Sequence, residues 1–201
     1  MMKKIFWVLI SIFIFSFVSI KSNADTIFLN INNEGLISQR SDGLWGEVTL
    51  TQEGDNKVIF KVDPYENAFT STGQNFGIQT FGFNKNTSAS INVSLPDNWS
   101  IDYNNNLDGY GLFMLVLSTN GQYRKNPLEF SITSTDPINI LNFIVYNTDG
   151  YPFATHIADF TINGNNKTSA WFSVPEPGIL LLLGLGLSAV GIGSRYIKKI
   201  G

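Results

Sequence analysis

The sequence predicts an all-β protein: a two-sheet antiparallel sandwich of jelly-roll type, flanked by an N-terminal signal helix and a C-terminal transmembrane helix. Three observations predict it. Apolar residues alternate with polar ones along many short runs between residues 25 and 173, and no useful 3.6-residue pattern interrupts them. Only 14% of residues are charged, 13% are aromatic and 18 are glycine, a balance that suits strands and polar turns better than surface helices. Two uncharged apolar stretches bracket this region, one at each end.

The first stretch opens the chain. Lys3 and Lys4 precede Ile5 to Ile20, which carry no charge, and Ser22-Asn23-Ala24 places small residues before Asp25. This is the anatomy of a secretory signal peptide, with the cut expected between Ala24 and Asp25 after entry into the Sec translocon. An uncleaved anchor is the alternative reading.

The body follows. In "GEVTLTQEGDNKVIFKVD", Val48 and Leu50 alternate with Glu47, Thr49 and Thr51; Glu53-Gly54-Asp55-Asn56 supplies turn residues; Val58, Phe60 and Val62 resume the alternation. That is a hairpin. Further period-two runs carry Ile91, Val93 and Leu95, then Phe113, Leu115 and Leu117, then Leu128, Phe130 and Ile132. A last strand pair is expected around "ILNFIVYN" and "ATHIADFTIN". About nine or ten strands in one domain point to a sandwich.

The second apolar stretch runs from Gly178 to Ser194 without a charge, and Arg195, Lys198 and Lys199 follow it. As a helix it reaches about 25 Å, enough for a thin bilayer. The basic tail stays cytoplasmic by the positive-inside bias, which leaves the body on the outer side of the inner membrane. Val174-Pro175-Glu176-Pro177 stands directly before it. Two prolines fix φ, lack N–H donors and hold their predecessors extended, so this strip is stiff and non-helical. Proline as a plain helix start is the bland alternative. The organisation is thus 1–24 signal peptide, 25–173 sandwich and 174–201 terminal segment (span 178–194, basic tail 195–201).

In that order, Pro-Glu-Pro, short apolar span and basic tail behind a signal peptide resemble the PEP-CTERM sorting signal of Gram-negative, exopolysaccharide-producing bacteria. The resemblance covers Val174 to Gly201. It implies recognition of Pro175-Glu176-Pro177 by the membrane protease-transferase exosortase, removal of the tail, transient anchoring in the inner membrane, and delivery to the cell surface or biofilm matrix. Exopolysaccharide is an expected partner there. More loosely, Asp108-Gly109-Tyr110-Gly111 with the later Ala154-Thr155-His156 resembles the turn and strand pattern in the bodies of some PEP-CTERM proteins, and implies a sandwich without adding chemistry.

The body itself carries 7 Lys and Arg against 15 Asp and Glu between Asp25 and Val174, a net of −8. Phosphate-backbone binding needs clustered cations, so no nucleic-acid partner is expected. Cysteine is absent, which excludes disulfides and thiolate metal sites. Asn104, Asn106 and Asp108 match the first half of a calcium loop, but the closing Glu is missing because the twelfth position is Leu115. Asn-rich turns also arise without metal, since Asn tolerates left-handed geometry. His156, the single histidine, shares with Ala158, Phe160 and Ile162 a strand face that reads as the core face; core or edge packing is expected of it, with a general-base role the alternative. No Gly-x-Ser-x-Gly elbow supports a hydrolase triad, and acids such as Asp63, Glu66, Asp97 and Asp102 cannot be paired from sequence. Trp45, Trp99 and Trp171 are expected mostly in the core, with Tyr103 and Tyr110 the candidates for exposed sugar-stacking rings. The leading expectation is a non-enzymatic exported protein without a cofactor. A carbohydrate- or calcium-binding adhesive module with the same routing is the alternative.

Overall fold

A computed structural model of the chain describes residues 23–162 and 168–174. The signal helix, the transmembrane span and the Pro-Glu-Pro strip expected from the sequence lie outside the described residues. Among the described residues no helix is long and apolar enough to cross a membrane.

The described chain forms β1 (Ala24–Leu29), β2 (Ile31–Asn32), β3 (Gly46–Gln52), β4 (Lys57–Pro64), β5 (Ser71–Phe83), β6 (Ile91–Ser94), β7 (Ser100–Leu107), β8 (Gly111–Ser118), β9 (Leu128–Ser134), β10 (Phe153–Thr161) and β11 (Ser169–Ser173). These build two antiparallel sheets, one ordered β1-β3-β4-β9-β6 and the other β2-β11-β10-β5-β8-β7.

Alternation in β3, β4 and β9 sets the first sheet. Leu50 pairs with Phe60 and Phe60 with Phe130, so one inward row crosses three strands, and Val48, Val62 and Leu128 form the next. Phe60 lies at the centre of the core: its ring stacks on Phe130 at 4.6 Å and meets Phe83 of the opposite sheet at 5.2 Å. From the second sheet Ile78, Phe81, Leu115, Leu117, Phe153, Ile157 and Phe172 complete this interior. Burial of so many large rings is the main stabilising term of the sandwich.

The connectivity is not that of the expected jelly roll. Tight hairpins join neighbours within a sheet, β3 to β4, β7 to β8 and β10 to β11. The central strands are β3-β4-β9 in one sheet and β11-β10-β5 in the other.

"ILNFIVYN" also departs from expectation, forming a turn of 3-10 helix at Ile140–Asn142 instead of a strand. Asn139 and Asn142 make a capping box: the Leu141 N–H donates to Asn139 Oδ1 at 3.0 Å and the Asn139 N–H to Asn142 Oδ1 at 2.8 Å. Side chains thereby take backbone groups that a sheet ladder would need. Ile140 and Phe143 still reach the core.

Candidate functional site

Strand β10 shapes the outer face of the larger sheet. Its pairing with β5 slips between His156 and Ile157 and again between Ala158 and Phe160, and Asp159 sits in the left-handed region at φ 65°. The slips change which residues face inward: Phe153, Ile157, Phe160 and Ile162 join the core, while His156 does not. The core-face reading of His156 is therefore corrected; it is half-buried and packs against a neighbouring ring. A one-residue irregularity reverses the side of every residue beyond it, and the alternation read from sequence assumed none.

His156 instead stands opposite Trp171 of β11, with ring centroids 4.9 Å apart. Beside it is a concavity of about 340 Å³ lined by Gln79, Arg124, His156, Ala158, Asp159 and Thr168, among others. Arg124 donates from Nε and Nη2 to Gln79 Oε1 at 3.1 and 3.0 Å, and from Nη1 to the Asn75 carbonyl at 3.4 Å. Asp159 Oδ2 accepts the Asn75 N–H at 2.8 Å. Burial, and then the nearby Arg124 charge, hold the His156 pKa below its ordinary value, favouring the neutral ring. The concavity thus offers a guanidinium, an amide and a hydroxyl to a polar ligand. Among the described residues no group of three or more His, Asp or Glu could hold a metal ion.

A second feature lies on the same outer face. Leu107, Tyr110, Phe113, Val116 and Ala154 form a small separate core, with Tyr151 and Trp171 packed on it. The Asp108–Gly111 turn folds back to make it. Tyr110 is only 3% exposed, its ring 4.9 Å from Tyr151, and its backbone carbonyl accepts from Asn147 Nδ2 at 2.7 Å. Burial raises the Tyr110 pKa. The expectation that Tyr110 is exposed is corrected: its turn plugs the outer face. Gly111 has φ 80°, and a Cβ there would run into the Asp149 carboxylate. Tyr103, by contrast, is 68% exposed on β7, as expected. Trp45 and Trp99 are buried.

The three residues proposed for calcium are not in one loop. Asn104 and Asn106 belong to β7, where Asn106 pairs with Leu112, and Asp108 lies in the turn beyond it. Asn104 has φ 53° and bends this edge strand.

At the other end of the domain, β1 begins at Ala24, paired with Thr51, and the Asn23 carbonyl accepts the Gln52 N–H at 2.9 Å. Asp25, expected as the first residue of the mature chain, pairs with Leu50. A larger concavity of about 800 Å³ lies here, lined by Asn23, Ala24, Asp25, Gln52, Asp55 and Leu141, among others.

The exit of the domain is β11, held between β10 and β2. Ser173 Oγ donates to the Phe153 carbonyl, and the Ser173 carbonyl accepts the Asn30 N–H at 3.2 Å. Val174 is 7% exposed and belongs to the main core. Beyond it the described chain stops. The profile of the PEP-CTERM protein-sorting motif matches residues 173–199. The chain carries a PEP-CTERM sorting motif. No curated protein and no solved structure matches it. The sorting motif implies export, processing by exosortase and association with the cell surface. Its first two residues, Ser173 and Val174, are packed parts of the sandwich.

Proposed function

We propose that residues 25–173 form a non-enzymatic surface protein working in the envelope or extracellular matrix. The signal peptide 1–24 feeds it through the Sec translocon, with the cut between Ala24 and Asp25. The span 178–194 and the basic Arg195, Lys198 and Lys199 then hold it in the inner membrane until exosortase reads Pro175-Glu176-Pro177. The match of the sorting motif to residues 173–199 is the single observation that carries this reading. Replacing Pro175, Glu176 and Pro177 by alanine in the native host tests it. The expected outcome is full-length chain retained in the inner-membrane fraction. Normal delivery of the triple variant to the surface would overturn the proposal.

A second reading, an adhesive carbohydrate-binding module, is favoured by the polar concavity beside His156. Guanidinium and amide groups suit sugar hydroxyls or carboxylates. Retention of the mature protein on the host's exopolysaccharide, weakened by Arg124→Ala, is the expected result. Equal retention of both proteins argues against this site. The calcium arm predicts a higher melting temperature with added calcium, abolished by Asp108→Ala; an unchanged melt removes it.

A further inference from the structure

Arg124 is the cation of the concavity beside His156, and its charge is not neutralised inside the domain. Its hydrogen bonds go to uncharged oxygens, Gln79 Oε1 and the Asn75 carbonyl. Among the described residues no carboxylate forms an ion pair with it, whereas Arg40, Lys57 and Lys61 each have one. A guanidinium has five N–H donors, so these bonds leave one on each Nη for an outside acceptor. The group is also fixed in place. The Ile78 N–H donates to the Lys125 carbonyl at 2.8 Å and the Lys125 N–H to the Ile78 carbonyl at 3.2 Å, clamping the segment that carries Arg124 onto β5. Asn75 Nδ2 donates to the Gly121 carbonyl of the same segment. A cation held by dipoles instead of a countercharge is prepared for an anion, and its planar fork matches a carboxylate.

The rest of the wall narrows the choice. Asp159 lines the same concavity, its N–H donating to the Thr168 carbonyl at 2.6 Å, and its carboxylate fills the space that a Cβ on Gly73 would need. A left-handed conformation at φ 65° is kept here by a residue other than glycine, the kind of backbone cost that gathers where a particular side chain is required. Asp159 repels a bare anion but accepts from a hydroxyl. Thr168 and Ser169 add hydroxyl groups, and His156, biased toward its neutral form, adds a ring donor and acceptor without charge. A space of about 340 Å³ suits a small ligand that carries both a carboxylate and hydroxyls.

We propose that this concavity binds a uronate residue of an acidic polysaccharide, with Arg124 on its carboxylate and Asp159 on its ring hydroxyls. The inference rests on the carbohydrate-binding reading and narrows it to acidic sugars. The body, at a net of −8, otherwise opposes a polyanion, so attraction depends on this one fixed cation.

The test measures affinity of the mature protein, recovered from the native host, for polygalacturonate and polymannuronate and for the same polymers with their carboxyls reduced to alcohols. At least one acidic polymer should bind roughly tenfold or more tightly than its reduced form, the scale of a charge-assisted hydrogen bond. Arg124→Gln should show the same loss on the acidic polymer. The polymer comparison uses the unaltered protein, so a folding defect in the variant cannot imitate it. The free uronate should displace the bound polymer, and inorganic phosphate at the same concentration should not. Equal affinity for acidic and reduced polymers, or displacement by phosphate, overturns the inference and leaves carbohydrate binding standing. Retention on the host's exopolysaccharide but on neither acidic polymer does the same. Retention on none of them overturns the inference and the carbohydrate reading together.

Discussion

Replacing Val174 by alanine separates two roles for the residue, a core side chain of the sandwich or the first letter of an address. The side chain is 7% exposed and packs in the cluster that holds Trp45, Phe69 and Phe172. Alanine removes two buried methyl groups, each worth about 0.8 kcal/mol on transfer from water, and leaves a small void. The combined loss is about 2 kcal/mol. For a domain of this size each kcal/mol lowers Tm by roughly 2–4 °C, so a fall of about 4–8 °C is expected. Ile37→Ala is the control: that side chain is 73% exposed, and its loss should change stability by less than about 0.5 kcal/mol. The assay is thermal unfolding followed by circular dichroism on chains that end at Pro177, which takes the membrane segment out of the comparison. Identical melting of the Val174→Ala and Ile37→Ala proteins would refute the reasoning, because Val174 would then belong to the tail and not to the core.

Phe60→Ala should be more damaging still, at about 3–5 kcal/mol by urea unfolding, because four rings, Phe81, Phe83, Phe130 and Phe143, lose their common partner. Gly111→Ala forces a left-handed residue, costing about 1–2 kcal/mol, and also drives its Cβ into Asp149. Adding Asp149→Gly should recover part of that loss, and no recovery in the double variant would reject the contact. His156 titrates below 6.5 in the fold, so the unfolded chain takes up a proton that the folded chain refuses. Its contribution to stability is full above pH 6.5 and declines as the pH falls below it; Arg124 and Asp159 are the charged groups lining the same concavity. His156→Gln should therefore flatten the unfolding free energy between pH 6.5 and 5, measured against wild type.

Where a strand separates a wet side from the core, the sequence shows it plainly. Val48, Leu50, Val58, Phe60, Val62, Leu128, Phe130 and Ile132 alternate without interruption, and all of them are buried in the first sheet. Strand β5 is harder to read, because it lies in the middle of the second sheet and mixes Thr, Gly and Gln with Phe76, Ile78, Phe81 and Phe83. Strand β7 is harder still. As an edge strand it buries little beyond Leu107, so "SIDYNNNL" has no apolar rhythm and looks like a loop. The concavity beside His156 depends on two register slips and on Arg124, which is 32 residues away in sequence. Spacing cannot reveal such a meeting. The positive φ of Asp159 gives no sequence signal either, since Asp adopts it less readily than Gly. Only the sorting motif is fully legible, because a linear address is read by its enzyme as a line of residues.

The rims of the two sheets bear on life at a crowded surface. Among the described strands, the open sides belong to β1, β6, β2 and β7. Strand β2 has two residues and β6 has four, while β7 is bent at Asn104 by its left-handed turn. Side-by-side copies of a protein can fuse into fibrils when they offer one another long, straight ribbons of free amides. Here most of the described borders are clipped or crooked, so side-by-side copies have little to zip together.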